Sequence, residues 1–181
     1  MGGAEIELTL LFADVRGSTP LAEKMEPTMY SKLISRFFAA AGEVLIRHQA
    51  MVDKLVGDQA TGLFVPGFAG PNHHQAALNA ARDLLLATGH GSTEAPWVPL
   101  GIGILTGVAF VGSVGSQGTA RDVTVLGDPA DVAARLSSVA TAGEILVPNE
   151  AASDQLDRRH LETRELKLKG KSQPVGVYVV K

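Results

Sequence analysis

The run Leu8-Thr9-Leu10-Leu11-Phe12-Ala13 constrains this chain more than any other segment. It is apolar at both side-chain periods of a strand, so it must be covered on two sides and lie inside a sheet, not at its edge. The run ends in Asp14, followed by Val15-Arg16-Gly17-Ser18-Thr19-Pro20. A carboxylate at the mouth of a buried strand is costly unless it is paired, hydrogen-bonded or bound to a cation. Asp58 repeats the arrangement after Lys54-Leu55-Val56-Gly57 and ahead of the apolar Leu63-Phe64-Val65. Two such carboxylates, one beside small residues that free backbone N–H groups, point to a divalent-cation site for a phosphorylated ligand.

The rest of the chain narrows the setting. With 181 residues, 45% of them apolar, one folded domain with a substantial core is expected. A formal charge of -3 leaves no basic footprint for nucleic acid, so a small substrate or a protein partner is the better expectation. The absence of cysteine excludes disulfides, thiolate zinc sites and a cysteine nucleophile. No apolar run approaches the roughly 20 residues of a membrane span, and the N-terminus lacks a basic–apolar leader pattern. The sequence therefore reads as a cytoplasmic domain without membrane contact. Met1-Gly2-Gly3 resembles an appended lead, which sets residues 1–5 apart as unstructured and 6–181 as a single domain taken from a larger signalling protein.

Periodicity predicts a first strand over 6–13, then a helix with Thr19 as N-cap and Pro20 in its first position. That helix is predicted to run to about His48, with Met29, Leu33, Phe37, Ala41, Leu45 and His48 as its buried stripe. Residues 51–56 and 60–65 read as strands joined at Gly57-Asp58. A loop over 66–72, a helix over 74–88 and a loop over 89–96 follow. Gly101, Gly103, Gly107 and Gly112 make 98–114 read as a strand pair that other backbones approach closely. Ser113 to Thr119 is expected to form a flexible tongue, followed by a strand at 122–126, a helix at 128–139 and a strand at 144–147. Asn149 is placed to cap a short helix, and strands at 164–168 and 175–180 finish the chain. The order predicts an α/β (α+β) fold, a ferredoxin-like βαββαβ sandwich with added C-terminal strands and helices on one sheet face.

Each motif also has a plain structural meaning. Asp14 to Thr19 can be a strand-to-helix turn, and its free N–H groups could equally cradle a phosphate whose cation Asp14 holds. It is not a Walker A loop, because the Gly-x-x-x-x-Gly-Lys-Ser/Thr pattern is missing. Gly57-Asp58 can be a simple hairpin turn. Asp131 and Arg135 are four apart on one helix and can be a surface ion pair worth about 0.3–0.5 kcal/mol. Lys167, Lys169 and Lys171 can be a solvated strand edge.

Taken in order, these segments resemble the catalytic domain of the class III nucleotidyl (adenylate/guanylate) cyclases. The similarity rests on Phe12-Ala13-Asp14-Val15-Arg16-Gly17-Ser18-Thr19, Lys54-Leu55-Val56-Gly57-Asp58, Gly101-Ile102-Gly103-Ile104-x-Thr106-Gly107, Thr124-Val125-Leu126-Gly127-Asp128, Ala133-Ala134-Arg135-Leu136 and Leu168-Lys169-Gly170-Lys171. The resemblance implies conversion of ATP to 3′,5′-cyclic AMP and pyrophosphate at the interface of a head-to-tail homodimer, each chain supplying half of each of two sites. It implies two Mg²⁺ or Mn²⁺ ions per site on Asp14, Asp58 and the Val15 carbonyl. Gly17, Ser18 and Thr19 would lie against the phosphates, with one of Lys169 and Lys171 on the terminal ones. Lys54 and Thr124 fall at the purine-selecting positions, where Lys and Thr accompany adenine. Arg135 matches the arginine that stabilises charge at the α-phosphate.

One position departs from the family. Asp131 stands where the family usually carries an Asn that helps hold the ribose. An ionised Asp only accepts hydrogen bonds, adds negative charge near the triphosphate, and can sequester Arg135 across a helical turn. The departure implies a slow cyclase, or a degenerate nucleotide-binding, regulatory or dimerisation module. Guanylate cyclase fits less well because Lys54 is not acidic, and the Gly-Gly-Asp/Glu-Glu-Phe run of diguanylate cyclases is absent.

Overall fold

The computed structural model describes residues 2–114, 122–151 and 156–181. Its first strand, β1 (Gly3–Val15), begins inside the stretch expected to be unstructured. Gly3, Ala4 and Glu5 find ladder partners in Gly112, Val111 and Phe110. Backbone pairing of this kind satisfies main-chain groups and leaves no side-chain signature in the sequence.

The single long helix of the sequence reading is two, α1 (Ser18–Lys24) and α2 (Pro27–Arg47). A residue before proline is kept out of the helical region by the pyrrolidine ring. Glu26 accordingly sits at φ −55°, ψ 135°, and the helix restarts after it. The buried face of α2 is Ile34, Phe37, Ala41, Val44 and Leu45, whereas Met29, in the first turn after the restart, is exposed. His48 lies just past the helix, half-buried, with Nε2 2.8 Å from Asp83 Oδ2.

The chain continues through β2 (Met51–Val56), β3 (Gln59–Phe64), a one-turn α3 (Pro66–Ala69) within the expected loop, α4 (His73–Ala87) and β4 (Leu100–Val114). β4 is one strand of 15 residues, not a pair. β5 (Asp122–Leu126), α5 (Asp128–Val139), β6 (Ile145–Pro148), a 3₁₀ turn at Asn149–Ala151, β7 (Glu162–Leu166) and β8 (Val175–Val180) complete it. Ser113 and Val114 close β4, and the remainder of the expected tongue lies outside the described residues.

The eight strands form one sheet in the order β2-β3-β1-β4-β6-β8-β7, with β5 paired to β4. The first four are mutually antiparallel, and with α2 and α4 they make the ferredoxin-like βαββαβ unit. β1 has a neighbour on either side, as its two-sided apolar character demands. Leu11, Ala13, Val15, Ile102 and Ile104 face α2 and α4 in one core.

The opposite face is covered too, which corrects the expectation of helices on one side. Leu8 and Leu10 pack there with Ala133 of α5. The glycines of β4 explain both the misreading and the packing. A Cβ on Gly103 would lie 2.6 Å from the Ser137 amide nitrogen, and one on Gly107 would lie 2.9 Å from Pro129. These glycines form a groove for α5 within a continuous strand, not a turn between two strands.

Candidate active site

The C-terminal end of β1 sets Asp14 opposite Gln59 of β3. The next residue, Val15, donates its N–H to the Asp58 carbonyl at 3.0 Å. Asp14 and Asp58 therefore reach the same end of the central strands, because β3, which follows the turn carrying Asp58, is the strand that lies beside β1. Asp14 shares a side of β1 with Leu8 and Leu10, so it lies on the α5 face. Gln59 marks the same edge, its Nε2 donating to Ser137 Oγ of α5 at 3.4 Å.

Gly17 turns the chain straight from β1 into α1. Its φ of 68° and ψ of 26° are left-handed values that favour glycine. The turn makes Gly17 the N-cap and Ser18 the first helical residue, with Leu21 N–H donating to the Gly17 carbonyl at 3.0 Å. Thr19 is thus inside the helix and not its cap, because the left-handed turn at Gly17 starts the helix two residues earlier than a Thr19-Pro20 start would.

Two side chains beside the carboxylates carried no role in the sequence reading. Arg16 forms an ion pair with the Asp14 carboxylate, and its Nη1 donates to the Ser138 carbonyl at 2.5 Å. Burial pushes this guanidinium down from its ordinary value while the charge of Asp58 pushes it up. Tyr30 of α2 approaches from the other direction. Burial, and then the charge of Asp58, pushes its hydroxyl up. Arg16 stands two residues from Asp14 and could have been noticed; Tyr30 carries no local signal.

Lys54 and Thr124 are far apart in sequence and meet in space. Lys54 Nζ donates to Thr124 Oγ1 at 3.3 Å within one chain. Lys54 lies four positions before Asp58, yet its side chain is shared with β5.

A further group of site residues lines α5. Asp131 is exposed in its first turn, and among the described residues no ion pair joins it to Arg135. Asp131 thus does not sequester Arg135 across the helical turn among the described residues, although the spacing allows it. Arg135 turns toward the loop after β7, where a Cβ on Gly170 would lie 3.3 Å from its Nη1. Asp131 lies in the first turn of α5, the favourable end of a helix for an acidic side chain. Lys171 in the same loop is half-buried, and its Nζ lies 2.5 and 2.6 Å from the two Asp128 carboxylate oxygens. Lys169 is exposed. The two lysines left open by the sequence thus differ: Lys171 is held against the first turn of α5 beside the Arg135 loop.

The donors at Asp14 and Asp58 suit a hard divalent cation. Both are carboxylates, and the Val15 carbonyl follows Asp14 in sequence. Among the described residues there is no group of three or more His, Asp or Glu side chains that could enclose a metal by itself. Mg²⁺ does not need one, since it binds through one or two carboxylates and completes its shell with water and substrate phosphates. No helix among the described residues is long and apolar enough to cross a membrane.

Comparisons with known proteins agree with this geometry. The family model of the adenylate and guanylate cyclase catalytic domain matches residues 4–181. An uncharacterised protein of Mycobacterium tuberculosis is 33% identical over 183 residues, covering 97% of this chain and 32% of its own length. An adenylate cyclase of Anabaena cylindrica is 30% identical over 190 residues, covering 96% of this chain and 36% of its own length. The chain thus spans about a third of these curated relatives. The crystal structure of the adenylyl cyclase CyaB from P. aeruginosa superposes with a TM-score of 0.84 at 27% identity, covering 100% of this chain and 97% of that one. A crystal structure of a guanylyl cyclase gives a TM-score of 0.85 at 29% identity, covering 99% and 94%. With the motifs, the sheet order and the family model in agreement over nearly the whole length, the chain belongs to the adenylate and guanylate cyclase catalytic domain family.

Proposed function

We propose that this domain is an adenylate cyclase, converting ATP to 3′,5′-cyclic AMP and pyrophosphate at the interface of a head-to-tail homodimer. The observation that carries the choice of base is the Lys54–Thr124 pair, 3.3 Å apart. Adenine offers an acceptor at N1 and a donor at its amino group. Lys54 donates to the first, and Thr124 accepts from the second. Guanine presents the reverse pattern, which leaves buried polar groups unpaired and is rejected strongly.

In the reaction the ribose 3′-oxygen loses its proton, bonds to the α-phosphorus, and pyrophosphate leaves with the electrons of the broken bond. Two Mg²⁺ or Mn²⁺ ions held by Asp14, Asp58 and the Val15 carbonyl would supply charge neutralisation and acidify the attacking hydroxyl. Arg135 donates to the α-phosphate oxygens as negative charge builds there. Backbone N–H groups at Gly17, Ser18 and Thr19 lie against the phosphates, and Lys171, poised beside the Arg135 loop, contacts the terminal ones. The exposed apolar side chains Val56 at 67% and Leu126 at 50%, on the strands that carry Lys54 and Thr124, support a second copy covering this surface.

A second reading rests on Asp131. A carboxylate where an amide donor is usual weakens ribose positioning, and favours a nucleotide-binding dimerisation module with little turnover. One assay separates the two. Purified domain at high concentration with Mn²⁺ should form cyclic AMP from ATP in preference to cyclic GMP from GTP, and Asp14→Ala should abolish it. No product at any protein concentration would favour the module. A preference for GTP would overturn the roles given to Lys54 and Thr124.

A further inference from the structure

The carboxylate site already contains a cation, and it belongs to the chain. Arg16 is fixed through its backbone, its N–H donating to the Pro99 carbonyl at 2.8 Å. Its side chain is mostly enclosed, 22% exposed, against an Asp14 side chain that is 14% exposed. The guanidinium pairs with the Asp14 carboxylate, and Nε points at the Asp14 carbonyl oxygen 3.4 Å away. Its remaining arm donates to the Ser138 carbonyl at 2.5 Å. Ser138 is the penultimate residue of α5, where helix carbonyls lack intrahelical partners and the helix dipole is negative. Asp58 adds its charge to the same environment. Asp14, Asp58 and the end of α5 thus converge on one group that cannot lose its proton.

We propose that Arg16 is a tethered competitor for the divalent cation at Asp14 and Asp58. It neutralises the carboxylates while no ion is bound, and it must leave the Asp14 carboxylate for an ion to bind there. A guanidinium and a divalent ion cannot share the same carboxylate oxygens without strong like-charge repulsion. Being two residues from Asp14, the arginine competes at the high effective concentration of an intramolecular group. Its Ser138 bond gives the displaced side chain a place to remain, on the α5 side of the site. The residue therefore sets how much free metal the domain needs before nucleotide chemistry can begin. The inference rests on Asp14 and Asp58 forming a cation site.

The test is Mn²⁺ binding to nucleotide-free protein, read by the electron paramagnetic resonance of free Mn²⁺, with no turnover involved. Arg16→Gln should tighten the Mn²⁺ Kd by about fivefold, the scale of losing one partly exposed ion pair. Arg16→Lys, which keeps the charge on a shorter reach and guards against a misfolded Gln variant, should fall between the two. The melting temperature of Arg16→Gln should also drop without metal and recover more on Mn²⁺ addition than that of the parent protein. Unchanged or weaker Mn²⁺ binding in Arg16→Gln, with binding still lost in Asp14→Asn, would overturn the competitor role alone. Equal Mn²⁺ binding in the parent and Asp14→Asn would overturn the cation site itself, and the competitor with it.

Discussion

Replacing Glu144 with Gln tests a buried charge with three hydrogen bonds to its carboxylate. Glu144 follows α5, is 4% exposed, and faces Arg164 of β7 in a two-armed pair at 2.9 and 3.1 Å. Its Oε2 also accepts the Thr141 N–H at 3.0 Å, so the carboxylate closes the loop after α5. The hydrogen-bonded Arg164 holds Glu144 down to about 2 from an ordinary 4.5; burial opposes this, and the Thr141 N–H reinforces it. A lowered carboxylate contributes stability that is complete above the unfolded value and is lost as pH falls through the folded one. The gap between 4.5 and about 2, at about 1.4 kcal/mol per pH unit, corresponds to about 3 kcal/mol at pH 7. The same linkage leaves about 1.5 kcal/mol at pH 3. Partial solvent access to Arg164 and screening by salt make these upper figures. Urea unfolding of the parent and Glu144→Gln at both pH values measures the difference. The deficit of the variant should shrink by about half on acidification. An equal deficit at pH 7 and pH 3 would show that lost packing, not the ionised pair, is responsible.

Other expectations follow from the same geometry. Gly103→Ala places a methyl against the backbone of α5 and should cost about 1–3 kcal/mol in chemical denaturation, with activity falling as α5 shifts; an unchanged midpoint would show that the groove has spare room. Asp131→Asn restores an amide donor and should raise turnover by about tenfold or more in a cyclic AMP assay, whereas an equal rate would remove the carboxylate as the cause of slowness. Lys54→Glu should lower the ATP-to-GTP preference by at least about tenfold in competition assays, and an unchanged ratio would detach Lys54 from base recognition. Burial holds His73 below its ordinary 6.5, with Thr9 Oγ1 2.8 Å from Nδ1, so its imidazole proton resonances should titrate below pH 6.5 and stability should decline as pH falls past that value. A midpoint at or above 6.5 would contradict the burial cost.

Much of the candidate site could be proposed from the sequence because its residues sit on local patterns. Asp14 and Asp58 each follow a strand, and strand ends are visible in apolar runs. Lys54, Thr124 and Arg135 were legible through their motifs, although their spatial companions were not. The break before Pro27 was written in the sequence by the proline itself, and the apolar stripe from Met29 begins only after it. Close approach of another backbone to the glycines of β4 was legible, but that this backbone is α5 lying across one continuous strand was not, because α5 lies elsewhere in the chain. Tyr30 and Ser138 could not be found locally, since each owes its place to how α2 and α5 cross the sheet.

The sequence by itself determined the central position of β1, the ferredoxin-like order, the family motifs and the odd residue at 131. These follow from side-chain periodicity and residue chemistry, which act over a few positions of the chain. Only the tertiary structure decided that α5 closes the second sheet face, that Lys54 donates to Thr124, that Arg135 turns to Gly170, and that Arg16 pairs with Asp14. Those outcomes depend on which backbones approach closely enough to leave a charge with one partner instead of another. Such distances are set by the packing of the whole sheet, and no local pattern encodes them.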